Sequence, residues 1–262
     1  MIWKGGRPRA PRSWCRSDRC AAAASASMRI WGYWATFGWA LLAFIVGQFG
    51  ALGLVLWLRA DDLGALLANP YDGVTVTLFL LIANPIMVGV IALAVGCARA
   101  GFADYLALVW PSRRELVVGL VSLVGVIALG DALLLLSGRD LVAPFQTQSY
   151  ATAAAEGWLV PMAAAAIVLA PAGEEVLFRG FLFRGWARSP RSIWPAIVVI
   201  SIAWAALHIQ YDWVGILQIF IVGLFLGWIR WRSGSTLLTF LLHALFNLEA
   251  TVETVLRVRF FS

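Results

Sequence analysis

Seven apolar stretches, at about 34–58, 76–98, 116–137, 158–184, 193–210, 213–230 and 235–256, dominate this 262-residue chain. Each is long enough to cross roughly 30 Å of hydrocarbon as a helix rising about 1.5 Å per residue. They are apolar along their whole length rather than at amphipathic spacing, so a small soluble core has no way to absorb them. Composition agrees, with 61% hydrophobic and 13% charged residues, against about 45–50% and about 25% in an ordinary soluble domain. The sequence predicts an all-α, polytopic transmembrane helical bundle of about seven spans, or eight if a re-entrant or interfacial segment closes the C-terminal end. Fourteen Trp suit interfacial belts.

The flanks divide the chain. Residues 1–27 are basic and then Ala/Ser-rich, the composition of a disordered tail. Met28 offers an alternative start, and no apolar segment precedes "ASAS" to make a signal peptide. Residues 28–140 are expected to form N-terminal transmembrane helices, 141–256 a catalytic helical core, and 257–262 a C-terminal tail. Segments 1–33, 99–115, 185–192 and 230–234 hold most of the arginines, while the alternate loops carry Asp61, Asp62, Asp72, Asp140, Glu156 and Asp212. The positive-inside rule then predicts a multi-pass protein of the cell membrane with a cytoplasmic N-terminus. The net charge of +6 sits in short loops and the tail, which speaks against nucleic acid as a partner. Cys15, Cys20 and Cys97 show no CxxC or Cys/His spacing, so neither a thiolate metal site nor a disulfide framework is expected. Within the loops, Ser112 is a predicted N-cap of the third span, and 146–156 reads as an outer loop or interfacial helix. Asn84–Pro85 reads as a kink in the second span.

Charged groups inside the spans are costly, about 2.5–3.5 kcal/mol each by insertion scales, and so point to function. Glu174 and Glu175 lie in the fourth span, and the chain's two histidines, His208 and His243, lie in the fifth and seventh. Glu175 and Arg179 stand four residues apart, on one helix face, and are expected to form a buried structural ion pair. Glu174 is turned about 100° away and left free for chemistry. His243 and Asn247 share a face by the same spacing, as do Trp204 and His208. Counted from the basic ends, Glu174, His208 and His243 fall at depths of about 15, 22 and 12 Å, one layer within the error of a helix turn.

Two chemistries suit that set. A desolvated carboxylate beside a histidine can take a proton from water, while a second His and an Asn amide donate to a developing oxyanion. Alternatively Glu174, His208 and His243 could ligate Zn²⁺ with water in the fourth position, which makes a metalloprotease. No HExxH is present, and no Ser stands as a nucleophile beside either His. Trp204 reads as packing.

The residues resemble a known family. "EEVLFR" at 174–179 matches the EExxxR motif of the CAAX-protease and bacteriocin-processing (CPBP) intramembrane proteases, which include type II CAAX prenyl endopeptidases. "WAALH" at 204–208 is similar to its FxxxH motif, with Trp204 in place of Phe, and "HALFN" at 243–247 matches HxxxN. The resemblance covers roughly 158–250. It implies that Glu174 is the catalytic base with His208 helping to activate water, and that His243 and Asn247 stabilise the oxyanion. It also implies an older description of the Glu/His/His set as metal ligands.

The expected function is a hydrolase, an intramembrane endopeptidase of CAAX type. It would cleave a membrane-associated peptide or protein, prenylated or otherwise lipidated, with Zn²⁺ or without a metal, and with the lipid bilayer as its other partner. The cavity is expected among the fourth, fifth and seventh spans, opening to the interior face or laterally to lipid. Asp131 in the third span motivates the rival reading, a proton-coupled transporter. A non-enzymatic immunity or scaffold protein is the third. Glu249 and Glu253 are expected to be solvated.

Overall fold

A computed structural model describes residues 29–260. The expected tail at 1–27, the alternative start at Met28, and Cys15 and Cys20 lie outside the described residues. Those described form helices and connecting turns without a strand. In chain order the helices are α1 (Tyr33–Leu58), α2 (Leu63–Ala68), α3 (Gly73–Cys97), α4 (Phe102–Leu106), α5 (Arg113–Leu136), α6 (Pro144–Ala155), α7 (Leu159–Trp186), α8 (Ile193–Ala206), α9 (Trp213–Ser233) and α10 (Thr236–Phe260).

Local chemistry sets several starts. Asp72 Oδ2 accepts from the Thr75 N–H and hydroxyl at the head of α3. Ser112 and Glu115 form a reciprocal capping box on α5, so Ser112 is the N-cap its position predicted. Asp212 Oδ1 accepts from the Val214 and Gly215 N–H groups at the head of α9. Gly234, at φ +67°, ends that helix in the left-handed conformation that favours glycine. Pro85 lies inside α3, which continues through it.

All seven predicted stretches are helical, but only five of the described helices, α1, α3, α5, α7 and α9, are long and apolar enough to cross a membrane. The fifth stretch was expected to span 193–210. Its helix, α8, has 14 residues, about 21 Å of rise. The physical reason lies at its end. The Trp204 carbonyl, which would accept the His208 N–H in a continuing α-helix, takes the His208 imidazole Nδ1 at 2.8 Å instead. The His208 N–H moves to the Ala205 carbonyl, a tighter 3₁₀-type closure. The seventh stretch, α10, is long but carries Glu249, Glu253, Arg257 and Arg259.

Short connections alternate the helix ends between two faces. At one, the Trp31 indole donates to the Ala94 carbonyl, Trp186 to the Tyr33 carbonyl, and Thr236 to the Leu106 carbonyl. Arg99, Arg113, Arg114, Arg188, Arg191 and Arg232 gather there. At the other, Gln148 bonds Asn69 and Gly73 bonds Thr152. Three of its arginines are matched by acids: Arg59 with Asp62 and Asp72, Arg139 with Asp212, and Arg257 with Asp140, while Arg259 lies over the Phe260 ring. We call these the basic end and the acidic end.

Packing differs between them. Toward the basic end, Tyr105, Leu106, Phe181, Ile197 and Leu226 are fully buried in one continuous core. Toward the acidic end the buried cluster is small: Tyr150, Ala153 and Met162. Exposed Leu41, Leu42, Ile45 and Phe49 on α1 present an apolar flank suited to lipid.

α7 is seated on α3 through Gly173. A Cβ there would meet Asn84 Oδ1 at 2.1 Å and Met87 Cε at 3.0 Å. Asn84 cannot swing away freely, because it is 8% exposed and its amide donates to the Leu80 carbonyl. Gly173→Ala is therefore expected to push the two helices apart and cost about 1–3 kcal/mol. A lowered melting temperature in detergent checks this, and an unchanged one contradicts the close seat.

Candidate active site

α7 is not a uniform helix. Two π-helical segments, Ala165–Leu169 and Val176–Leu182, bracket the turn Ala170–Glu175 that carries both glutamates. Such segments recur at functional sites. Here the sequence supplies a local cause. In π pairing the Ala170 N–H bonds the Ala165 carbonyl, so the Ala166 carbonyl faces residue 171, and Pro171 has no N–H to give. Asn247 Nδ2 donates to that carbonyl at 2.8 Å. Asn247 thus repairs a proline break and ties α10 to α7.

Glu175 is the structural centre. Its Oε1 accepts from Arg179 Nη1 at 2.9 Å and meets His243 Nδ1 at 3.0 Å. Both side chains of the ion pair are 1% exposed. Arg179 Nη2 also donates to the Gly223 carbonyl on α9, and the Arg179 carbonyl accepts from Arg230 Nε. One buried chain of polar contacts therefore joins α7, α9 and α10.

Glu174 has a different setting. Its side chain is 24% exposed and lines a cavity of about 680 Å³. The Trp204 indole N–H donates to Glu174 Oε2 at 2.5 Å, and His243 Nε2 lies 4.0 Å from the same oxygen. Trp204 is itself packed on three sides. Its ring lies 5.2 Å from both the His208 and His243 rings, edge-on, and the Arg179 guanidinium sits 4.5 Å over it. Trp204, expected to serve as packing, is the direct hydrogen-bond partner of Glu174. The sequence held the signal: a Trp at a Phe position adds one donor, the Nε1–H.

Glu174, Trp204, His208, His243 and Asn247 all line this cavity. No hydrogen bond links His208 to Glu174 among the described residues; His208 stands just beyond the end of α8. Because a carbonyl only accepts, the bond to Trp204 places a proton on His208 Nδ1 and leaves Nε2 an acceptor in the neutral ring. Likewise the His243 Nδ1–H donates to the Glu175 carboxylate, which leaves Nε2 an acceptor in the neutral ring.

Zn²⁺ does not fit the arrangement as it stands. The ligand atoms of Glu174, His208 and His243 do not all come within 4.8 Å of one another. The Nδ1 bonds of His243 to Glu175 and of His208 to Trp204 leave both Nε2 atoms available, as metal-binding imidazoles also do, so it is the spacing that does not fit. Among the described residues, a trio within that distance forms elsewhere, from Asp131, Glu249 and Glu253. These acids are half-buried between α5 and α10 rather than solvated, which corrects the expectation for Glu249 and Glu253.

The cavity also differs from expectation in its walls. Besides α7, α8 and α10, α1, α2, α3 and α6 contribute, through Val55, Leu66, Phe79 and Tyr150. Periodicity gave no sign of Tyr71, Phe145 or Tyr211, which come together only through long-range packing. Phe145 stands edge-on to Tyr211 at 4.8 Å and tilted against Tyr71 at 5.7 Å. Burial, with Tyr150 and Glu174 nearby, holds the Tyr211 phenol above its ordinary range.

Comparison with known proteins agrees on the region. Residues 156–248 match the family model of Rce1-like type II CAAX prenyl endopeptidases. That segment holds every residue named above as a candidate: Glu174, Glu175, Arg179, Trp204, His208, His243 and Asn247. A similar protein is the uncharacterized 24.3 kDa protein of Escherichia coli, 34% identical over 139 residues, which are 51% of this chain and 62% of that one. The match thus spans less than two thirds of that relative's length. No solved structure matches. The apolar helices and the family-model match make the chain an integral membrane protein with an Rce1-like segment at 156–248.

Two outcomes follow from the geometry. Arg179→Met leaves Glu175 charged and unpaired in the core, and should cost about 3–5 kcal/mol, whereas Arg179→Met combined with Glu175→Leu should recover most of it. Thermal unfolding of the three proteins checks this. At the acidic end, the Gly215 N–H, helped by Arg139, holds the Asp212 carboxyl below its usual range. Its contribution to stability is therefore present above the unfolded value of about 3.9 and lost as pH falls below it. The melting difference between wild type and Asp212→Ala should narrow as pH drops from about 5 to about 3.

Proposed function

We propose that this chain is an intramembrane endopeptidase in which Glu174 activates water. One observation carries the reading. Among the described residues, Glu174 is the only carboxylate lining the large cavity, while its neighbour Glu175 is sealed in an ion pair. A carboxylate that is open to a cavity, held by one indole N–H and flanked by an imidazole is equipped to take a proton from water.

Water adds to the peptide carbonyl carbon as its proton passes to Glu174. The carbonyl oxygen becomes an oxyanion. The second Asn247 N–H, left over from its bond to Ala166, can donate to it, as can His243 once Nε2 carries a proton. Glu174 then returns the proton to the leaving amine, and the C–N bond breaks. His208, with Nδ1 held by Trp204, offers Nε2 as an acceptor for the attacking water. This sequence of steps uses no metal.

The substrate is an extended peptide, and a lipid-bearing one suits the apolar walls from Val55, Leu66, Phe79 and Leu80. The transporter reading loses its motivation in this geometry, since Asp131 lies with Glu249 and Glu253 rather than with Glu174 and the histidines. For orientation, the loops at the basic end carry unpaired arginines, which supports a cytoplasmic basic end, and so a cytoplasmic N-terminus, in the cell membrane.

The test is cleavage of a prenylated CAAX-type peptide and a mixed peptide library by purified protein in detergent. Glu174→Ala and His208→Ala should each lower turnover about 10²–10⁴-fold with melting retained. A zinc chelator should leave wild-type turnover intact. Loss on chelation, restored by zinc, would contradict the metal-free step, and full activity of Glu174→Ala would contradict the assignment.

A further inference from the structure

The cavity has a direction. Its walls come from the middle and acidic-end parts of the long helices and from the acidic-end connections. Val55 is near the end of α1, Tyr71 precedes α3, Tyr150 lies on α6, and Gln210 follows α8. From α10, His243, Asn247 and Thr251 line it from the deep part of the chamber toward the acidic end. None of its lining residues belongs to the connections at the basic end.

Below Glu174 the way is closed. Glu175 and Arg179 fill the next turn at 1% exposure each. Beyond them Phe178, Phe181, Leu182, Tyr105 and Leu106 are buried against one another, none more than 6% exposed. An interior packed like this leaves no path for an extended peptide.

On the other side there is a second cavity, of about 620 Å³, lined by Arg139, Asp140, Gln148, Asp212 and Gln218. It shares Tyr71, Phe145, Gln210 and Tyr211 with the first. A polar vestibule at the acidic end thus meets the chamber across an aromatic wall. Tyr211 touches both worlds, its ring lying 6.2 Å from that of His208.

We propose that the chamber is addressed from the acidic end, the face away from the cytoplasm. Its substrate is then a polypeptide segment presented on that face, either exported or held in the outer leaflet, rather than the C-terminus of a cytoplasmic protein. The directional part rests on the geometry and the charge distribution. The word substrate rests on the peptidase reading above.

Two arms keep these separate. The first needs no catalysis. In a background with Cys15, Cys20 and Cys97 replaced by Ser, Gln210→Cys marks the shared wall and Ser189→Cys the basic end. A membrane-impermeant maleimide is applied to intact cells and to inside-out vesicles. Gln210→Cys should react in cells and not in sealed inside-out vesicles, and Ser189→Cys the reverse. Reaction of both from one face, reaction of Gln210→Cys from the Ser189 side, or no reaction of Gln210→Cys from either face would overturn the proposal. The second arm adds an impermeant quenched peptide, chosen from those that the detergent-solubilised protein cleaves, to right-side-out and inside-out vesicles. Cleavage should be lost in sealed inside-out vesicles and return when detergent opens them; the opposite pattern would overturn the proposal. If solubilised protein cleaves nothing, the peptidase reading fails, while the labelling arm still decides the direction.

Discussion

The contact between Glu175 and Arg179 is the interaction on which the rest of the site depends. Each charge alone would be prohibitively costly where it sits, at 1% exposure. Together they neutralise one another, and Arg179 Nη2 and Glu175 Oε1 also join helices, through Gly223 on α9 and His243 on α10. The pair fixes the rotation of α7 and therefore decides where Glu174, one residue earlier, must point. It also orders His243, whose Nδ1 is held by Glu175 so that Nε2 faces Glu174. A structural glutamate and a working glutamate are adjacent because the first aims the second.

Trp204 performs the complementary task. Its indole N–H restrains Glu174, its backbone carbonyl restrains His208, and its ring separates the two histidines beneath the Arg179 guanidinium. A phenylalanine would preserve the ring contacts and lose the N–H. The Glu174 carboxylate would then keep its place only through His243. A single aromatic residue thus couples the fourth, fifth and seventh stretches.

Much of this was legible before any coordinates. The all-helical class and the order of the apolar helices follow from the apolar runs, and the Glu175–Arg179 pair follows from four-residue spacing. Other features needed the fold. Periodicity assumes a regular helix, so it hid the π-helical segments around Glu174 and the use of Asn247 to satisfy the carbonyl that Pro171 strands. The end of α8 at Ala206 depends on a side chain capping its own helix, which no hydropathy window registers. Depth counting placed Glu174 and His243 together, as their 4.0 Å separation shows, but put His208 inside a helix that stops short of it. The direction of the cavity is not legible in the sequence, because it depends on where packing is dense. The apolar runs look alike at both ends, and only the assembled core closes one and opens the other.

The central claim is that two neighbouring glutamates have unlike roles. The most direct measurement compares Glu174→Gln with Glu175→Gln, reading turnover per folded molecule and melting temperature on the same preparations. The account predicts that Glu174→Gln melts like wild type and does not turn over. It predicts that Glu175→Gln melts lower, while the fraction that remains folded keeps measurable turnover. Equal loss of turnover in both variants with wild-type melting would contradict the division of roles on which this reading of the site is built.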